Sequence, residues 1–324
     1  MTMKKRLLSS FLTLALLLTL LPTAVMAEGG NTIYTQTGAA GDGSSANPYG
    51  HFEEALAAAK AGDTIVIREK STLSEKKDAP GIPCVIDKAI TIQGENSNAA
   101  LNVRTAGILL AADVTMRNVE LNLENGYHNA IFANGYKFTA ENITRGSGSR
   151  MVHLFAGGLE GYTSNGKAVL SLTNSQFGNI YAGSMNEGFA GSAQINITNS
   201  TVGAIYGSGA DEADFDQNDW FNLKEPPAPT ANSAHLVSGP VNITVDGAST
   251  VGEAYTVSVN GNGSSDTSLT INTAKESKKL NLAHLTGLTV NGGTAAVAAI
   301  NETADVTLNN NATISFAGSK TVNS

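Results

Sequence analysis

A chain of 324 residues with a single cysteine, Cys84, cannot staple itself with an internal disulfide, so its stability must come from a packed core. Basic residues are scarce: 20 Lys and Arg stand against 28 Asp and Glu, a formal charge of −8. That balance argues against nucleic acid and against anionic membrane surfaces, because both demand a clustered basic face. After the first 27 residues no apolar run approaches the roughly 20 residues that a membrane span needs. Aromatic residues are few, at 6%, and prolines number only 8. In their place stand 34 glycines and many Asn, Ser and Thr, the composition of a strand-and-turn protein.

Met1 to Ala27 reads as a secretory signal peptide. Lys4, Lys5 and Arg6 form its charged start, Leu7 to Leu21 its apolar run, and Val25-Met-Ala27 a small-residue cleavage site. Removal of those three cations takes the formal charge from −8 to −11. The expected mature protein is exported, secreted or held at the cell surface, without membrane insertion.

A five-residue pattern then recurs: apolar, hydroxyl or amide, apolar, any residue, then Asn, Gly or Thr. It reads Ile90-Thr-Ile-Gln-Gly94, Val114-Thr-Met-Arg-Asn118, Phe138-Thr-Ala-Glu-Asn142, Leu170-Ser-Leu-Thr-Asn174 and Ile195-Asn-Ile-Thr-Asn199. It continues as Ile243-Thr-Val-Asp-Gly247, Leu269-Thr-Ile-Asn-Thr273, Leu288-Thr-Val-Asn-Gly292 and Val306-Thr-Leu-Asn-Asn310, with Ile65-Val-Ile-Arg-Glu69 as an earlier copy lacking the hydroxyl. Period-two alternation makes a strand with one buried face. A long repeat of such strands hides that face only by stacking on its neighbours. With about 25 residues per interval there is room for three short strands and three turns, so a parallel β-helix is expected over residues 63–324. Asn118, Asn142, Asn174 and Asn199 fill the fifth column of four consecutive copies, where stacked amides can hydrogen-bond along the axis.

Residues 28–62 read as an N-terminal cap, with one short strand at 32–37 and one helix at 51–60. In that helix Phe52, Leu56 and Ala59 share a face, Glu53 and Glu54 sit in the first turn, and Gly62 ends it. The helix would cover the open end of the core. The stretch GDGSSANPYGHFEEALAAAKAGDTIVI, residues 41–67, followed by the Ile-Thr-Ile-Gln-Gly of the next coil, resembles the start of the pectin-lyase-like right-handed β-helix superfamily, particularly its bacterial exported members. The resemblance implies an all-β, right-handed parallel β-helix of about 10 coils. It leaves activity open, because that superfamily includes polysaccharide lyases, hydrolases and non-catalytic surface or adhesive proteins.

The residues favour the non-catalytic reading. The second column points outward and offers Val66, Thr91, Thr115, Thr139, Ser171, Asn196, Thr244, Thr270, Thr289 and Thr307, none of which supplies a charge. In the fourth column only Arg117 and Glu141 place charges one coil apart, and they read as a surface ion pair rather than a paired-carboxylate acid and base. His51, His128, His153, His235 and His284 lack metal-ligand spacing and read as surface or turn residues, and no Gly-x-Ser-x-Gly elbow occurs.

Two features are candidates for ligand binding. Between residues 210 and 238 lies an acidic insert in which Asp214, Asp216, Asn218 and Glu225 take positions 1, 3, 5 and 12 of an EF-hand-like Ca²⁺ loop. Asp219 replaces the turn glycine and Pro226-Pro227 replaces the exiting helix, so the alternative is a solvated loop; no cofactor other than that Ca²⁺ is expected. The second feature is a tyrosine column. LSLTNSQFGNIY (170–181) and INITNSTVGAIY (195–206) align, and Ile243 to Tyr255 repeats them with one added residue. With Ile180 and Ile205 inward, Tyr181, Tyr206 and Tyr255 point outward, either against sugar rings or stacked on one another. The expected function is an exported β-helix surface or adhesive protein that binds a polysaccharide or surface glycan through its outer face. The alternative is a polysaccharide lyase or glycoside hydrolase. Further domains or a C-terminal partner would cover the last coil, where no cap is visible.

Overall fold

The computed structural model describes residues 30–74, 83–104, 107–123, 130–146, 151–162, 166–211, 236–252, 257–261, 266–303 and 305–316. The described chain is all β apart from one helix, and every strand pairing in it is parallel.

The recurring pentapeptide builds one long ladder. Its strands run through Thr32–Thr35, Thr64–Ile67, Ile90–Gly94, Val114–Arg117, Lys137–Glu141, Lys167–Thr173, Ser192–Thr198, Val241–Asp246, Thr267–Ala274, the start of Gly287–Asn301, and Asp305–Asn309. The register aligns the columns expected from sequence, placing Thr91, Thr115, Thr139, Ser171, Asn196, Thr244, Thr270, Thr289 and Thr307 side by side. A second ladder includes Cys84–Ile86, Ile108–Leu110, Ala130–Phe132, His153–Phe155, Ile180–Tyr181 and Ile205–Tyr206. A third joins Lys70–Leu73, Ala100–Val103, Glu120–Leu123 and Thr144–Arg145. Successive strands of the chain visit the three ladders in turn, which is the topology of a solenoid.

One register differs from the sequence reading. Thr64 pairs with Thr91, Ile65 with Ile92 and Val66 with Gln93, so Thr64 holds the second column and Val66 the fourth, while Arg68 lies beyond them. The copy at Ile65 is displaced by two residues. A two-residue slip preserves which side chains face inward, so alternation alone cannot detect it.

The first and third columns form the core. Ile90, Ile92, Val114, Met116, Phe138, Ala140, Leu170, Leu172, Ile195 and Ile197 are all buried, and the same holds through Leu288 and Val290. Each large apolar side chain withdrawn from water contributes roughly 1.5–3 kcal/mol. At the N-terminal end helix α1, Phe52–Ala58, sets Phe52, Ala55 and Leu56 into this core, and Ala59 follows. The Glu54 carboxylate accepts the backbone N–H groups of Gly50 and His51, tying down the helix start. The helix thus spans less than the expected 51–60. Asp63 fastens the next turn by accepting the N–H groups of Asn31 and Lys60, both at 2.7 Å.

The corner after the long ladder explains the fifth column. Asn118, Asn142, Asn174 and Asn199 adopt φ of 55°, 55°, 50° and 45°, a left-handed conformation that asparagine tolerates better than most residues. Their amides form the expected ladder: Asn142 donates to Asn118 (2.8 Å), Asn174 to Asn142 (3.1 Å) and Asn199 to Asn174. Gly94 has another reason, since a Cβ there would overlap the Asn118 carbonyl. A second amide ladder, unnoticed in the sequence, runs in the fourth column from Asn309 to Asn291 (2.9 Å) to Asn272 (3.0 Å).

Candidate functional site

The outer side of the long ladder carries the hydroxyl column, half-exposed over most of its length. Near the N-terminal end the face deepens into a groove of 330 Å³ lined by Thr32, Tyr34, Thr64, Val66, Gln93, Glu95 and Arg117. These residues come from four adjacent strands and the turn after one of them, so stacking of coils creates the groove. The Arg68 guanidinium lies over the Tyr34 ring, 5.1 Å from its centroid, donates to Ser45 at 2.9 Å, and meets the Glu95 carboxylate at 3.4 Å. Arg117 donates from Nε to Gln93 Oε1 at 2.8 Å. The ion pair expected between Arg117 and Glu141 does not form: the two are register partners, but Arg117 turns toward the preceding coil. The groove therefore combines one aromatic ring with hydroxyl, amide, guanidinium and carboxylate groups.

The tyrosine column is not on the surface. Tyr181 and Tyr206 are both 0% exposed. They do point away from the main core occupied by Ile180 and Ile205, as alternation requires, but into a second apolar cluster. There Phe132, Phe155, Tyr181 and Tyr206 form a continuous stack with centroid separations of 5.1, 4.5 and 5.0 Å. After each ring the chain turns back, and Leu159, Met185 and Ala210, bridged in parallel, join the cluster. The outward orientation was legible; the covering was not. A sequence signal for it exists in Phe132-Ala-Asn-Gly135, Phe155-Ala-Gly-Gly158, Tyr181-Ala-Gly-Ser184 and Tyr206-Gly-Ser-Gly209, an aromatic residue followed by small ones. The small residues allow the fold-back, since a Cβ on Gly183 would overlap the backbone of Gly209. Tyr255 lies outside the described residues, and so do Asp214, Asp216, Asn218 and Glu225.

His153, expected at the surface or in a turn, is buried at the start of strand His153–Phe155. Its Nδ1 accepts the Asn179 N–H at 2.9 Å. Asn179 in turn donates to the Tyr181 hydroxyl at 3.1 Å and accepts the Ala204 N–H at 3.0 Å. Burial without a compensating negative charge pushes the imidazole pKa down to about 3, so the ring is neutral and structural at ordinary pH. His284 lies at an outer corner, its Nδ1 2.8 Å from Glu302.

On a pair of loops beside the second cluster, Glu187 has its pKa raised, first by desolvation and then by the nearby Glu160 charge, against the pull of the Gly161 N–H. Among the described residues no group of three or more His, Cys, Asp or Glu side chains gathers to hold a metal ion. No described helix is long and apolar enough to cross a membrane. Comparison with family models, curated proteins and solved structures returned no match to this chain.

Proposed function

We propose that this chain is an exported, non-catalytic surface or adhesive protein of the pectin-lyase-like right-handed β-helix kind, which binds carbohydrate through its outer face. About ten coils at the usual strand spacing give a rod of roughly 50 Å. The observation that carries the reading is the Tyr34 groove. A sugar ring presents apolar C–H patches and a rim of hydroxyls, and the groove offers an aromatic side chain beside Gln93, Glu95, Arg117 and two threonines. The hydroxyl column continues from Thr64 along the rod, extending a polar track that an elongated polysaccharide can follow.

A glycan array with residues 28–324, run beside an ultraviolet assay for unsaturated products from polysaccharides, tests this reading. Binding without product is expected. Product formation would move the chain to the lyase or hydrolase alternative, and an empty array would remove carbohydrate as the ligand class.

A further inference from the structure

At the end of the described solenoid opposite α1, the strand Asp305–Asn309 is exposed along its whole length. Val306 and Leu308 are each 47% exposed, although they occupy the inward columns directly beside Leu288 and Val290, which are 1% and 0% exposed. Ile314 and Phe316, on the last row of the second ladder, are only partly buried. Among the described residues the strand pairs on one side alone, with Gly287–Asn301. This end face combines apolar side chains with the open outer edge of a parallel sheet, an arrangement that recruits another strand.

We propose that strand Asp305–Asn309 pairs with the same strand of a second copy of this chain, antiparallel and centred on Thr307. The strand is self-complementary in that register. Val306 lies opposite Leu308 of the second copy on the inward side, closing the apolar end. On the outward side Asp305 meets Asn309, so the carboxylate faces an amide donor rather than its own like charge, and Thr307 meets Thr307. Centring on Val306 instead sets Asp305 opposite Thr307 and carries the partner of Leu308 to residue 304, beyond the strand, so fewer of the five residues pair within it. Stacking this end on the other end of a second molecule is closed off, because α1 already fills that end with Phe52, Ala55 and Leu56. The interface is therefore isologous, and it closes at two copies instead of growing into a filament.

The experiment uses residues 28–324 with Cys84→Ser and measures mass by sedimentation, then cross-linking under mild oxidation. A dimer is expected. Thr307→Cys should give a disulfide-linked dimer, since residues facing each other across an antiparallel pair sit with Cβ atoms about 5 Å apart. Asp305→Cys should not, because its copies lie about 13 Å apart along the strands. Val306→Lys with Leu308→Lys should yield a monomer with an unchanged circular dichroism spectrum, since both side chains are already half-exposed. A monomer across the concentration range, as when residues 317–324 or another protein occupy the edge, overturns the proposal. So does a dimer that survives the double lysine variant, or an Asp305→Cys variant that cross-links as fully as Thr307→Cys.

Discussion

Tyr181 lies flat against Tyr206, their ring centroids 5.0 Å apart and their planes within 8° of parallel, and neither ring reaches solvent. Two rings in this relation act as core, whatever their polar handles. Tyr181→Ala is expected to lower stability by about 3–5 kcal/mol, the range for truncating a buried aromatic. Tyr181→Phe removes only the hydroxyl that accepts from Asn179 and should cost about 1 kcal/mol. Urea denaturation of both variants checks the difference, and glycan binding by the folded fraction should stay unchanged.

The amide ladder separates two contributions at one residue. Asn142 both hydrogen-bonds to its neighbours and adopts φ 55°. Asn142→Gly keeps the left-handed corner without strain and loses the side-chain bonds, whereas Asn142→Ala loses both. Asn142→Ala is expected to be the less stable by roughly 1 kcal/mol, read from paired melting curves. Equal stabilities would mean that the corner conformation contributes nothing.

His153 sets an acid limit on the fold. Its folded pKa, about 3, lies below the ordinary value of 6.5, so between these values the unfolded chain binds the extra proton. Stability from this group is complete above pH 6.5 and falls toward pH 3 by up to about 1.4 kcal/mol per pH unit. His153→Gln retains an acceptor for the Asn179 N–H but cannot titrate. Denaturation at pH values of about 7.5, 5.5 and 4.5 should therefore show a steeper loss in the parent chain than in the variant.

Glycan binding, once a bound glycan is identified, should depend on the N-terminal end of the rod. Tyr34→Ala is expected to weaken it at least about tenfold, the equivalent of roughly 1.4 kcal/mol. Arg117→Gln should weaken it too, because the guanidinium lines the groove. Thr289→Ala, on the same face but several coils away, should leave binding unchanged; titration calorimetry on the three variants distinguishes a local site from a uniform face.

Phe52→Ala tests the cap. The ring is fully buried in the core from α1, and its removal is expected to cost about 3–5 kcal/mol. In a solenoid each coil touches only its neighbours. Hydrogen exchange should accordingly speed up most in Thr64–Ile67 and Lys70–Leu73 and least in the distal coils.

By itself the sequence determined the strand columns from Ile90 onward, because alternation and a repeated interval are local properties that survive stacking. Ile90, Ile92, Val114 and Met116 were bound to face inward once their neighbours repeated the pattern, and Asn118 to Asn199 were bound to stack once they shared a corner. The inward helix face of Phe52 and Leu56 was legible for the same reason. What tertiary structure decided was the register of the first copy, the covering of outward faces and the direction of long side chains. Whether Tyr181 and Tyr206 meet solvent depends on the chain turning back after Gly183 and Gly209, which period two does not encode. Whether Arg117 reaches Glu141 or Gln93 depends on the direction a long side chain takes between two equally spaced neighbours. The Tyr34 groove needs strands separated by dozens of residues to lie side by side, so no linear motif announces it; it exists only once the coils are stacked.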